Sequence, residues 1–98
     1  MSQRLDKWLV YARFVKHRST ATELVEGGHV RLNRVKVSKP GHALREGDVL
    51  TLALHGEIRV VKVLGAADKR RPAAEARLLY EDLAVQQIPA SQAENLGA

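Results

Sequence analysis

Basic side chains dominate the first half of this 98-residue chain. Residues 1–45 hold ten Lys and Arg against three Asp and Glu, a formal charge of +7. Lysine ammonium groups bind phosphate oxygens as point charges, and arginine forks bind them through paired hydrogen bonds. A basic region at one end of a chain therefore indicates a polyanionic partner, which is either a nucleic acid or an anionic membrane surface.

These cations fall in three short stretches that a compact fold would bring to one edge. Donors at nearly fixed spacing suit the repeating phosphates of a nucleic acid. The candidate contacts are Arg4, Lys7, Arg13, Lys16, Arg18, Arg31, Asn33, Arg34 and Lys36. We expect Arg18 to be the most sensitive of them, because a helix begins beside it and offers backbone N–H groups to the same phosphate. Arg59 lies outside the basic half, and we expect it to contribute little.

One carboxylate, that of Asp6, lies among the cations. Phosphate would repel it, so a direct contact with the ligand is unfavourable. The position suits the first turn of a helix, where a negative charge is favourable, or the fixing of one arginine rotamer. We therefore predict that Asp6 supports the binding surface without contacting the ligand.

Residues that could carry out catalysis follow no pattern that chemistry requires. The chain has no cysteine, which excludes disulfides, thiolate nucleophiles and zinc fingers. Gly27-Gly28 lacks the spacing of a phosphate-binding loop. The four histidines lack the spacing of a metal site: His17, His29, His42 and His55. We expect no enzymatic activity, no cofactor and no metal.

Two short helices are predicted near the N-terminus. An apolar stripe with spacing i, i+3, i+4 and i+7 predicts the first helix over about 4–15 and buries Trp8 in the core. A capping box of Thr20 and Glu23 predicts the start of the second helix. Gly27-Gly28 would end that helix by supplying a left-handed position. The stripe consists of Leu5, Trp8, Leu9 and Ala12.

Alternating apolar and polar residues predict strands in the middle of the chain. Residues 30–37 predict two short strands, and 49–63 predict a hairpin. A helix is predicted from Ala73 to about Val85, and a frayed tail from Pro89 onward. The expected class is α+β, with two short N-terminal helices packed on a small, mainly antiparallel sheet, plus a C-terminal helix. We expect a domain over 1–65, with the helix and tail of 66–98 packed on it or extending from it.

An ordered series of blocks resembles the S4-type RNA-binding domain, also called the alpha-L motif. The resemblance covers roughly residues 4–54 and implies that RNA lies along the two helices and the adjoining hairpin. It adds Ser19 and Lys39 to the candidate contacts, with Gly27 and Gly28 as structural supports. The blocks are Arg4-Leu5-Asp6-Lys7-Trp8-Leu9, Lys16-His17-Arg18-Ser19, Glu26-Gly27-Gly28-His29-Val30-Arg31-Leu32-Asn33, Lys39-Pro40 and Gly47-Asp48-Val49-Leu50.

The segment 70–81 is similar to the one after this domain in the ribosome-associated fifteen-kilodalton heat shock protein family. That family implies binding to large ribosomal subunits that still carry a nascent chain on tRNA, in rescue or quality control. The expected partners are therefore ribosomal RNA, tRNA or both, on the large subunit. The chain departs from the family pattern at two places. Family members often have glycine at the position of Arg34. They also usually continue into a basic helical tail, whereas residues 86–98 hold no Lys or Arg.

Two other functions stay open. The chain would serve as the RNA-binding module of a multi-subunit RNA-modifying enzyme, or as a general DNA-binding protein. No apolar run approaches the ~20 residues that a membrane span needs, and no signal-peptide pattern follows Met1. We expect a cytoplasmic protein that is a monomer when free and makes no membrane contact.

Overall fold

The computed structural model describes residues 2–87, so the tail predicted from Pro89 onward lies outside the described residues. Short helices and strands alternate in the first half, and longer strands follow. In chain order they are β1 (Gln3–Arg4), α1 (Leu5–Tyr11), α2 (Arg18–Glu26), β2 (Val30–Leu32), β3 (Val35–Lys36), β4 (Ala43–Leu44), β5 (Val49–Leu54), β6 (Glu57–Val63), α3 (Ala73–Ala76), a 3₁₀ turn (Arg77–Leu79) and β7 (Tyr80–Gln87).

Within residues 2–87, five strands form one antiparallel sheet in the order β3-β2-β5-β6-β7. Strands β1 and β4 form a separate two-residue ladder, which the sequence did not predict. Strands β5 and β6 form the expected hairpin, and its turn has positive φ at both His55 and Gly56. The predicted α+β class with a mainly antiparallel sheet is confirmed.

Helix α1 packs the predicted stripe into the core. Leu5, Trp8, Leu9 and Ala12 are all buried. The indole Nε1 of Trp8 donates a 2.9 Å hydrogen bond to the carbonyl of Gly65, so its polar atom is satisfied inside the protein. The Trp8 ring also lies 5.8 Å from that of Phe14 and 6.4 Å from that of Tyr80, measured between centroids. The predicted burial of Trp8 is confirmed.

Helix α1 ends four residues earlier than predicted, and Arg13 is the cause. Arg13 takes a left-handed conformation with φ 67°. Its N–H bonds to the carbonyl of Val10 at 3.0 Å, and the N–H of Phe14 bonds to the carbonyl of Leu9 at 3.0 Å. These two bonds form a Schellman motif, which turns the chain and brings Phe14 into the core. No glycine marks this helix end in the sequence.

Helix α2 begins earlier than predicted and ends where predicted. Its first residue is Arg18, with His17 at the N-cap, and no side chain caps it. Thr20 therefore lies inside the first turn, and the predicted capping box is wrong. Gly28, at φ 82°, closes a second Schellman motif, as the sequence predicted.

The C-terminal helix is present but much shorter than the predicted 73–85. Helix α3 covers Ala73–Ala76, the 3₁₀ turn continues to Leu79, and Tyr80–Gln87 form strand β7. Pairing explains the difference, because without β7 the seven-residue strand β6 would leave a row of open backbone groups along the sheet edge. Those hydrogen bonds outweigh the helix propensity of the segment. Leu83, inside the predicted helix, lies on β7 and is exposed.

Arg59, on β6, packs against the aromatic rings of Phe14 and Tyr80. Its guanidinium carbon lies 5.0 Å from the ring centroid of Phe14 and 5.9 Å from that of Tyr80. Its Nη2 also bonds to Asp82 Oδ1 at 2.6 Å. Arg59 thus has a part in packing, while the expectation that it contributes little to ligand binding stays a prediction.

We expect Arg59→Ala to lower the free energy of unfolding by about 1–3 kcal/mol, because it removes a partly buried ion pair and two cation–π contacts. Lys62→Ala, on the same strand but exposed, is the matched control and is expected to change stability by less than about 0.5 kcal/mol. Urea unfolding of both variants measures the difference. Equal stabilities would contradict the packing role of Arg59.

Candidate nucleic-acid interface

The carboxylate of Asp6 holds two arginines from different elements. Asp6 is only 1% exposed. It accepts bonds from Arg4 Nε at 3.1 Å and Arg4 Nη2 at 3.0 Å, and from Arg18 Nε at 3.0 Å. The N–H of Lys7 adds a fourth bond at 2.8 Å. We call Arg4, Asp6 and Arg18 the arginine pair site; it joins the start of α1 to the start of α2.

The electrostatics of this site keep Asp6 ionised. Burial alone would raise the pKa of Asp6, but the hydrogen bonds from Arg4, Arg18 and Lys7 N–H outweigh burial and lower it below its ordinary value. The hydrogen bond between Arg4 and Asp6 also raises the pKa of Arg4. The site holds two cations against one anion, so it keeps a net positive charge.

Both arginines remain accessible to a ligand. Their side chains are 48% and 52% exposed for Arg4 and Arg18 respectively. Arg4 uses Nε and Nη2 on Asp6, whereas Arg18 uses Nε alone. Nη1 of Arg4 and both terminal nitrogens of Arg18 are therefore not used by Asp6, and the carboxylate fixes the direction in which they point. The prediction that Asp6 acts behind the surface accordingly has a geometric basis.

The loop between β3 and β4 is fastened to this site. The N–H groups of Leu5 and Asp6 bond to the carbonyls of His42 at 2.9 Å and Pro40 at 3.0 Å. A Cβ placed on Gly41 would lie 3.3 Å from the guanidinium carbon of Arg4, so the backbone of Gly41 rests on that side chain. Lys39 stands exposed at the start of this loop.

The remaining candidates on the helices lie around the arginine pair site and beyond it. Ser19 follows Arg18 in the first turn of α2, and Lys7 lies in α1 beside Asp6. Lys16 is exposed in the link between the helices. Arg13 points elsewhere, since its Nη1 bonds to the carbonyl of Arg71 at 3.1 Å. Among the described residues, none of the acidic side chains pairs with Lys7, Arg13 or Lys16.

The β2–β3 turn is a two-residue turn in which both residues have positive φ. Asn33 has φ 50° and Arg34 has φ 73°, so the turn keeps the form that favours Asn-Gly even though arginine occupies its second position. The Asn33 side chain bonds to the N–H of Val49 at 2.9 Å and to Asp48 Oδ1 at 3.2 Å. These bonds give Asn33 a structural part in addition to any contact with a ligand.

Asp48 is a support that was not among the predicted site residues. Besides Asn33, it accepts a 2.9 Å bond from the N–H of Arg45 through Oδ2. Asp48 thereby joins the tip of the β2–β3 hairpin to the start of β5. The short Gly47-Asp48 stretch before a strand was visible in the sequence, but its distant partner was not.

Arg31 and Lys36 face each other directly across β2 and β3. Strand alternation places them on the side of the sheet opposite buried Val30. Like charges directly opposite one another are destabilising, and neither residue has an ion-pair partner within residues 2–87. An anion between them would relieve that repulsion.

The two glycines after α2 make room for their neighbours. A Cβ on Gly28 would lie 2.5 Å from Cε and 2.8 Å from Nζ of Lys36. A Cβ on Gly27 would lie 2.9 Å from both the Glu23 carbonyl oxygen and the His29 ring. The close approach brings the Lys36 ammonium to the end of α2.

The described residues hold neither a metal-binding cluster nor a membrane-spanning helix. Residues 2–87 contain no group of three or more His, Cys, Asp or Glu placed to hold a metal ion. Helices in the same range are too short or too polar to cross a membrane.

Three known proteins or families are similar to this chain. A family model described as the S4 domain matches residues 3–50. Heat shock protein 15 of Escherichia coli (strain K12) is 47% identical over 81 residues, which cover 83% of this chain and 60% of that protein. The RQC P-site tRNA stabilizing factor of Halalkalibacterium halodurans is 35% identical over 78 residues, which cover 80% of this chain and 86% of that protein. The chain thus spans about 60% of the length of the Escherichia coli relative.

A solved structure of heat shock protein 15 from Vibrio cholerae, described as trimeric, is similar to the whole fold. The match has a TM-score of 0.79 and 34% identity, and it covers 98% of this chain and 90% of that one. The S4-type fold and the resemblance predicted from the sequence are both confirmed. Because identity, coverage and fold agree, the chain belongs to the heat shock protein 15 family of S4-domain proteins.

Proposed function

We propose that this protein binds ribosomal RNA and tRNA on the large ribosomal subunit, in rescue or quality control of stalled nascent-chain complexes. The observation that carries the proposal is the arginine pair site. One buried carboxylate fixes two guanidinium groups whose side chains are about half exposed, and such forks match phosphate oxygens in geometry and charge.

The surroundings of the site support RNA as the ligand. Helix α2 begins at Arg18 without a side-chain cap, so backbone N–H groups at its start are available to the phosphate that Arg18 would bind. Exposed cations continue along the β3–β4 loop and the hairpin. Structured RNA is recognised largely through its shape and its phosphate contacts, which this arrangement provides.

The ribosomal setting rests on the relatives. One is named a P-site tRNA stabilizing factor, and the heat shock protein 15 family implies large subunits that still carry a nascent chain on tRNA. Sedimentation of the purified protein with isolated large subunits, small subunits and whole ribosomes tests this part. We expect co-sedimentation with large subunits; binding to small subunits alone would contradict the proposal.

The proposed action is binding alone, without catalysis, in the cytoplasm. We expect no turnover when the purified protein is incubated with RNA, nucleotides or peptidyl-tRNA. We also expect a free monomer, and sedimentation equilibrium would distinguish it from the trimer described for the Vibrio cholerae relative.

Arg18→Ala is the residue-level test. Loss of one phosphate contact is expected to weaken binding to all RNA sequences alike, and to make the log–log salt slope shallower by ~0.7 for single strands or ~0.9 for a duplex-like helix. Arg77→Ala is the matched control, because Arg77 is exposed and has no ion-pair partner among residues 2–87.

Titrations of one structured RNA hairpin and of duplex DNA over a range of salt concentrations measure both variants. Equal losses for Arg18→Ala and Arg77→Ala would indicate a diffuse positive field in place of a defined site. Equal affinity for the hairpin and the DNA would favour general nucleic-acid binding.

A further inference from the structure

An open groove lies between the β2–β3 hairpin and the β3–β4 loop. Its volume is ≈ 430 Å³, within the range of roughly 300–1,000 Å³ that small-ligand sites occupy. Leu32, Val35 and Val37 contribute apolar surface, while Asn33, Lys39 and His42 contribute polar surface. None of the described residues that line the groove is acidic.

Val35 is the feature of this groove that the fold does not require. It is 67% exposed, although Val30 and Val37 on the same face of the hairpin are buried. Val35 faces half-buried Leu32 across the β2–β3 pair, so the two side chains present an apolar surface to solvent. A ligand with an apolar face would bind favourably on Val35, which stands between Arg34 and Lys36, because the contact removes apolar area from water.

The charge of the groove selects the class of ligand. Lys39 is exposed and has no ion-pair partner within residues 2–87, so its charge is available to an anion. A ligand that combines a flat, weakly polar body with an attached anion would satisfy both the apolar surface and Lys39. An RNA nucleotide has this combination in its base and its phosphate.

The groove is continuous with the arginine pair site. His42 lines the groove, and its carbonyl accepts the N–H of Leu5. The neighbouring Gly41 rests on the Arg4 guanidinium. An RNA strand bound at Arg4 and Arg18 would therefore reach the groove within the length of the short β3–β4 loop.

We propose that this groove is a subsite for one unpaired RNA nucleotide, with its base against Val35 and Leu32 and its phosphate at Lys39. The inference rests on the proposed RNA-binding function and adds a preference for RNA with a bulged or looped-out base. Unpaired bases are the parts of RNA that proteins can read directly, because paired bases are buried in the helix.

The test uses two RNA hairpins that differ only at one bulged position, which carries either a base or an abasic sugar. We expect the wild-type protein to bind the base-bearing hairpin about fivefold more tightly, because the abasic sugar leaves the apolar surface uncovered. Val35→Ser is expected to remove this preference. Val85→Ser is the matched control, since Val85 is also exposed but lies on β7, at the opposite edge of the sheet.

The outcomes separate the subsite from the proposed function. Equal binding of both hairpins by the wild-type protein would overturn the subsite and leave RNA binding intact; this is also the result expected if the groove holds a protein segment. A preference that survives in Val35→Ser would place the base elsewhere and overturn the assignment. Failure to bind either hairpin would contradict the proposed function itself. Thermal unfolding of both variants confirms that they are folded.

Discussion

Trp8→Ala is expected to lower the free energy of unfolding by about 3–5 kcal/mol. The indole is fully buried and is the largest side chain of the core, so its removal leaves a cavity beside Phe14 and Tyr80. The variant also loses the hydrogen bond from the Trp8 indole to the Gly65 carbonyl, which joins α1 to the segment after β6. Urea unfolding followed by circular dichroism measures the change.

Trp8→Phe separates the two contributions, because it keeps most of the volume and removes only the hydrogen bond and part of the ring. We expect its destabilisation to lie well below that of Trp8→Ala. The alternative role, a platform on which bases stack, requires an exposed ring. An unchanged unfolding midpoint for Trp8→Ala together with lost RNA binding would support that role and contradict burial.

Asp6→Asn is expected to weaken RNA binding about fivefold and to lower the free energy of unfolding by about 1–3 kcal/mol. The amide keeps the shape of the side chain but loses the charge that orders Arg4 and Arg18, so both guanidinium groups must be ordered when RNA binds. Removal of one negative charge would by itself strengthen binding to phosphate. Tighter binding by Asp6→Asn would therefore contradict the positioning role.

The stability effect has a defined pH dependence. The pKa of Asp6 is lower in the folded protein than its ordinary value, so the folded state favours the ionised form. Such a group contributes stability above its unfolded-state pKa of about 3.9, and the contribution is lost as the pH falls through the lower, folded-state pKa. The difference in stability between the wild type and Asp6→Asn should be complete at neutral pH and should shrink below about pH 4. A difference that does not change with pH would show that Asp6 acts through packing alone.

The sequence predicted the parts of the fold that depend on local spacing. The stripe from Leu5 to Ala12 and the glycine that ends α2 were both correct, because each follows from helix geometry. The end of α1 was not predictable in the same way, since Arg13 takes a conformation that normally identifies glycine. Strand β7 was missed because its assignment depends on the edge of β6, which is remote in sequence.

In the candidate site, too, local features were predictable and contacts between remote segments were not. Residue types and charge were sufficient to name Arg4, Arg18 and Asp6, but their common carboxylate becomes visible only when α1 and α2 are packed together. The groove at Val35 was not predicted, because an exposed valine in an alternating segment has the same pattern as a buried one. Contacts that link distant segments are thus the part that a single sequence does not contain.

The positive φ of Arg34 sets backbone stability against the RNA contact predicted for its side chain. A side chain at φ 73° costs about 1–2 kcal/mol relative to glycine before the extra backbone entropy of glycine is counted. We therefore expect Arg34→Gly to raise the melting temperature while it weakens RNA binding, and parallel melting and titration experiments would measure both. A loss of stability in this variant would show that the turn is not strained. A hairpin optimised for folding alone would carry glycine here, and the predicted RNA contact is the role that would offset a less relaxed backbone at this tip.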